Sequence, residues 1–98
     1  MGFDLKWSPD ARDHLSGLSA NHRATVVDGA EKHMQDEPNV PAKKRKLLRE
    51  NTLATWELRL GDLRVFYNID EPNHAVEIVA VGIKERNRLI IGGEEIEL

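Results

Sequence analysis

Residues 56–70 read WELRLGDLRVFYNID. Trp56, Leu58 and Leu60 alternate with Glu57 and Arg59; beyond Gly61-Asp62, Leu63, Val65, Tyr67 and Ile69 alternate with Arg64, Phe66 and Asn68. Two period-two runs around a two-residue break, with glycine first, predict a hairpin closed by a type II′ turn. Counting outward from the turn pairs Leu60 with Leu63, Arg59 with Arg64, Leu58 with Val65 and Trp56 with Tyr67. The apolar set then falls on one face. The other face sets two arginines directly opposite each other, where like charges are destabilising.

The flanking sequence places this hairpin in a fold. Upstream, residues 3–7 (FDLKW) alternate and predict a short strand. Ser8-Pro9-Asp10 reads as a helix start: a serine cap, proline at the first helical position and an acid in the first turn. Ala11, Leu15 and Leu18 follow at helical spacing, and Gly17 weakens the end. Ser19 to Asn21 offers a second cap. Val26, Val27, Ala30 and Met34 then mark one stripe of a second helix from about His22 to Asp36. Residues 37–41 (EPNVP) break it.

Residues 43–51 (KKRKLLREN) lack strand alternation and read as a loop or a helical turn. Beyond the hairpin, residues 71–74 (EPNH) form a turn. Residues 75–83 (AVEIVAVGI) are apolar on both faces except at Glu77, as in an inner strand. The stretch 85–98 (ERNRLIIGGEEIEL) reads as a strand or a second hairpin. The order predicts an α+β fold in a single domain over residues 1–98. Two N-terminal helices pack on one face of a small antiparallel sheet, β-α-α-β-β-β with room for an extra C-terminal strand. The second sheet face stays open and carries Arg59, Arg64, Phe66 and Asn68.

Composition excludes several classes of function. The 98 residues contain no cysteine, so disulfides and thiolate metal sites are out. The start, MGFDLKWSPD, has no apolar core of a signal peptide, and no apolar run approaches the length of a membrane span. A cytoplasmic location is expected. Net charge is -3, but it is unevenly spread: residues 42–64 carry 7 basic and 3 acidic groups, whereas 65–98 carry 3 basic and 7 acidic. Any polyanion site must therefore be local.

Arg59 and Arg64 admit two readings. They are either two solvated side chains partly offset by Glu57, or an anion site whose planar forks grip phosphate or carboxylate from a rigid hairpin. Lys84, Glu85, Arg86 and Arg88 follow the third strand and are either a polar connection or a strand end that brings Lys84 or Arg86 to that face. The basic run 43–49, with Lys43, Lys44 and Lys46, is either a solvated loop or a contact to a nucleic-acid backbone. Phe66, an aromatic on the polar face, is a candidate for base stacking or a partner contact. Trp7, Trp56 and Tyr67 belong to the core. His14, His22, His33 and His74 have no metal-ligand spacing, so neither a metal nor a cofactor is expected. No P-loop, nucleophile elbow or cysteine nucleophile is present.

The run WELRLGDLRVFYNID followed by VEIVAVGIKERNR resembles the second half of the RelE/ParE toxin superfamily of type II toxin–antitoxin modules. The shared elements are Arg59-Leu60-Gly61-Asp62-Leu63-Arg64-Val65-Phe66-Tyr67, Asp70-Glu71, and Val81-Gly82-Ile83-Lys84-Glu85-Arg86. The strand–helix–helix opening and the basic connector agree as well.

The resemblance implies a RelE-like toxin that inhibits translation by cleaving mRNA in the ribosomal A site, as a metal-independent endoribonuclease. Arg64 matches the phosphate-binding arginine of the hairpin. Arg59 falls at a commonly basic position, and Lys84 and Arg86 match the basic pair after Val81-Gly82. These four are the catalytic candidates; Lys43, Lys44, Lys46 and Phe66 are the RNA-binding ones. The implied partners are a cognate antitoxin, the ribosome and mRNA. Glu57 stands where cleaving members often carry lysine, and Ile90 where a catalytic tyrosine is expected. Those departures keep two alternatives open: a ParE-like toxin that poisons DNA gyrase, and an inactive antitoxin-binding module.

Overall fold

The computed structural model describes residues 2–35 and 37–98. Strand β1 (Asp4–Trp7) leads into helices α1 (Pro9–Ser16) and α2 (Ala20–Met34). Helix α1 begins as the sequence predicts, and α2 begins at Ala20, two residues ahead of the expected His22, from a cap within the expected stretch. Ser8 caps α1 by accepting from the Ala11 amide at 3.1 Å, and Ser19 caps α2 by accepting from the His22 amide at 3.2 Å. The end expected for the second helix, Asp36, lies outside the described residues. Among those residues no helix is long and apolar enough to cross a membrane.

Six further strands follow among the described residues: β2 (Arg45–Leu47), β3 (Trp56–Leu60), β4 (Leu63–Asp70), β5 (Ala75–Glu85), β6 (Arg88–Ile91) and β7 (Glu94–Ile96). They form a sheet in the order β2-β3-β4-β5-β6-β7, antiparallel throughout, and β1 joins it parallel to β5. The hairpin register is the one expected, with Leu60 on Leu63, Arg59 on Arg64, Leu58 on Val65 and Trp56 on Tyr67. At the turn Gly61 has φ 63° while Asp62 keeps a negative φ, as a type II′ turn requires and a type I′ turn does not.

One segment differs from the sequence reading, and another takes one of its two expected forms, the second hairpin. Part of the basic connector, expected as loop or helical turn, is the edge strand β2. It pairs Lys46 with Glu57 and Leu47 with Trp56. The segment has no alternation of its own; the unpaired edge of β3 supplies the ladder, and opposite charges face across it. The C-terminal stretch resolves into two strands, β6 and β7, joined by Gly92-Gly93.

The helices cover one sheet face. Ala11, Val26, Ala30 and Met34 meet Trp56, Leu58, Val65, Tyr67, Val76 and Ile78 in the main core. The Tyr67 hydroxyl donates to the Pro38 carbonyl at 2.8 Å, and burial raises its pKa well above the usual value for a phenol. The second face is not open as expected. Leu48, Leu53 and Ala54 from the β2–β3 loop, and Leu89, Ile91 and Ile96 from the C-terminal hairpin, close over Phe66 and Ala80.

One irregularity decides what the second face carries. Strand β5 pairs Phe66 with Ala80 but Tyr67 with Ile78, leaving Val79 as the extra residue of a bulge. The bulge lies where β5 has no strand on its other side, between the ends of β1 and β6. Helix α1 fills that gap: the Ser8 hydroxyl donates to the Val79 carbonyl at 3.3 Å, and His14 Nδ1 accepts from the Val81 amide at 3.3 Å. Ile78 therefore faces the helices, while Ala80, Gly82 and Lys84 face the other way.

Candidate functional site

Three neighbouring strands bring cations together beside the hairpin turn. Arg59 on β3 sits directly opposite Arg64 on β4, and Arg64 in turn pairs with Gly82 on β5. Lys84, two residues beyond Gly82, shares that face, and its amide donates to the Asp62 carbonyl of the turn at 2.7 Å. The spacing is a consequence of strand geometry: adjacent strands lie about 4.8 Å apart, so the three side chains rise from neighbouring positions of one sheet face, within reach of a shared anion.

The patch is the floor of an open groove of about 860 Å³. One wall is β2 and the loop after it, with Lys46 and Arg49; the other is the C-terminal hairpin, with Arg88. Six cationic side chains line the groove (Lys46, Arg49, Arg59, Arg64, Lys84 and Arg88), against four carboxylates (Glu50, Glu57, Glu95 and Glu97). No histidine or tyrosine is among the lining residues. Tyr67 is on the helix side of the sheet and buried.

The repulsion between the paired arginines has an internal solution. Glu57, the residue opposite Phe66, is a buried carboxylate whose side chain is 9% exposed. Its Oε1 accepts from Arg59 Nε at 2.8 Å and lies 3.9 Å from Arg64 Nε. Three charges in this arrangement carry a net +1. Desolvating a carboxylate is costly without a partner, and Arg59 supplies one while remaining 47% exposed. Arg64 is held more tightly. Its side chain is 13% exposed, and Nη1 donates to the Gly61 and Leu63 carbonyls at 2.6 and 2.9 Å. Its Nε is a buried donor with no acceptor. Glu57 Oε2 makes no hydrogen bond and is not among the fully buried unpaired atoms, so it keeps contact with the groove.

The expected site residues separate accordingly. Arg59, Arg64, Lys84 and Lys46 come together in the groove. Arg86 does not: it sits in the β5–β6 turn at φ 51°, exposed and away from the groove lining. Lys43 and Lys44 are also outside the lining; Lys44 acts on His33 of α2 instead, where it adds to burial in lowering the histidine's pKa. Phe66 is 0% exposed, so its ring has no face for a base to stack on. It was expected at the surface because alternation puts it on the polar face, and alternation cannot show that a loop and a hairpin return to cover it. Arg49 and Arg88 line the groove although neither is among the site residues named from the sequence. Their signal was only membership of basic runs on either side of the hairpin.

Comparison with known proteins adds to this geometry. The family described as ParE toxin of type II toxin-antitoxin system, parDE, matches residues 5–88. No curated protein matches significantly. Among solved structures, the chain is similar to one from the toxin-antitoxin complex RelBE2 of Mycobacterium tuberculosis, at 28% identity and a TM-score of 0.69 over 85% of this chain and 92% of that one. It shares its fold with a chain of the archaeal RelE-RelB complex from Pyrococcus horikoshii, at 18% identity and a TM-score of 0.64 over 88% and 99% of the two chains.

Proposed function

Because this chain belongs to the ParE toxin family of type II toxin–antitoxin systems, we propose that it arrests translation by cleaving mRNA on the ribosome, with the groove as the seat of the scissile phosphate. The observation that carries this reading is the convergence of Arg59, Arg64 and Lys84 on one patch, with Lys46 beside it. A patch of this kind suits the attack of a ribose 2′-oxygen on the adjacent phosphorus. The new P–O bond closes a 2′,3′-cyclic phosphate as the bond to the 5′-oxygen breaks. The phosphorane-like transition state gathers negative charge on its equatorial oxygens, where preorganised donors are worth most.

Each group has a role that follows from its placement. Arg64, whose Nη1 is held by two carbonyls, offers a fixed guanidinium charge to a non-bridging oxygen. Arg59, half exposed, offers a second. Glu57 is the carboxylate closest to both arginines and takes the 2′-proton through Oε2. Lys84 protonates the departing 5′-oxygen. General acid–base groups of this kind contribute about 10²- to 10⁴-fold. A cognate antitoxin is the partner expected in the resting cell, since the similar solved chains come from toxin–antitoxin complexes.

Primer extension on ribosomes programmed with a defined mRNA tests the reading. Cuts in the A-site codon are expected with the pure protein, and Arg64→Ala should reduce their rate by about 10²- to 10³-fold, as removal of one oxyanion donor does elsewhere. Intact mRNA at saturating protein excludes it. A second reading, a toxin that poisons DNA gyrase, draws on the lack of histidine or tyrosine among the groove residues. It predicts lost supercoiling activity with mRNA left whole.

A further inference from the structure

The loop between β2 and β3 is more ordered than a connector needs to be. Its ends meet where the Leu48 amide donates to the Thr55 carbonyl at 2.8 Å, and the Thr55 amide donates to Asn68 Oδ1 on β4 at 2.8 Å. Inside it, one side chain makes four hydrogen bonds. Asn51 Nδ2 donates to the Arg49 and Ala54 carbonyls at 2.7 and 2.9 Å. Asn51 Oδ1 accepts from the Leu53 and Ala54 amides at 2.7 and 3.0 Å. An amide has two N–H donors and one oxygen with two lone pairs, so this side chain is fully engaged. Leu48, Leu53 and Ala54 anchor the same loop on Phe66. Arg49, whose carbonyl Asn51 holds, lines the groove wall above Arg59, Arg64 and Lys84.

We propose that Asn51 is a positioning residue for the groove, closing the 48–55 loop so that Arg49 stands on the wall as ligand for a phosphate next to the one bound on the floor. The ligand class is a single-stranded polyanion with regularly spaced phosphates, such as RNA. The proposal rests on the groove being the polyanion site. A long cation on an untethered loop would lose side-chain and backbone entropy on binding; a loop already closed has lost the backbone part.

The test is a double-substitution cycle on the full chain, read by anisotropy of a short fluorescein-labelled single-stranded RNA at several salt concentrations. Arg49→Ala should weaken binding about fivefold, the upper range for one exposed ion pair, and lower the salt slope by about 0.7, one phosphate contact on a single strand. Asn51→Ala should reproduce both changes in the native background and add nothing to Arg49→Ala. Asn51→Asp keeps the two accepted bonds but sets an oxygen against two carbonyls; it should behave like Asn51→Ala, and it replaces that variant in the cycle if Asn51→Ala fails to fold.

Additive losses in the double variant overturn the proposal, because Asn51 would then act through general loop integrity. Unchanged binding in Arg49→Ala also overturns it. Arg64→Ala separates the two levels: if it weakens binding while Arg49→Ala does not, the groove stands and the positioning role falls. If neither has any effect, the groove is not the polyanion site and both fall together.

Discussion

At the scale of single residues, Glu57 is the side chain on which two requirements meet. It offsets the charge of two opposed arginines, and it is the one carboxylate held between them in the groove floor. Glu57→Gln keeps the shape and removes the charge. Under the proposed function the expected outcome is a divergence: tighter binding of RNA, because the floor gains a net positive charge, together with slower cleavage by about 10²-fold or more, because the proposed proton acceptor is gone. RNA anisotropy and primer extension on the same preparation check it. A fall in both measures would assign Glu57 a purely structural part. Phe66 makes the opposite point. It is fully buried, so Phe66→Ala should cost about 3–5 kcal/mol in urea unfolding. Any loss of RNA binding should follow from the fraction unfolded rather than from a missing stack.

At the scale of elements, the bulge in β5 governs the site. If Val79 took part in regular alternation instead of bulging, every residue beyond it would turn to the other face, since strand side chains alternate with a period of two. Lys84 would then point toward the helices and leave the groove. The bulge persists because α1 satisfies its exposed backbone groups through Ser8 and His14. His14→Ala removes the acceptor of the Val81 amide and should lower stability by about 1–3 kcal/mol, the cost of an unsatisfied buried donor. Amide exchange should show a larger loss of protection at residues 79–84 than in the β3–β4 hairpin. Uniform loss across the sheet would contradict a local role. Gly82 belongs to the same device: a Cβ there would meet the Ile90 carbonyl oxygen at 2.7 Å, so only glycine lets β6 close against β5 at that level.

At the scale of the whole molecule, a chain of net charge -3 presents a cationic groove. The remaining acidic surface disfavours loose attachment to nucleic acid in general, so under the proposed function binding depends on the groove. The basic connector also affects stability through His33, whose pKa is lowered by burial and then by Lys44, Lys32 and Arg45. A histidine that binds its proton less readily in the folded chain makes the unfolded state the better proton acceptor. Stability should therefore fall as pH drops below about 6.5, the ordinary value for the unfolded chain, and be complete above it. Urea midpoints measured across that range should show the decline, and His33→Gln should flatten it.

The amino-acid sequence by itself determined the β3–β4 hairpin to the residue, the serine caps of both helices, the α+β order and the family. Each of these follows from interactions between near neighbours: alternation on a strand, a glycine tolerating φ 63° at Gly61, a serine reaching the amide three residues on. Only the tertiary structure decided that Lys84 joins the arginines while Arg86 does not, that Phe66 is roofed, and that Arg49 and Arg88 form walls. Those outcomes depend on a bulge stabilised from α1 and on two distant segments folding over one sheet face. Such contacts are set by the packing of elements far apart in the chain, and a local pattern carries no record of them.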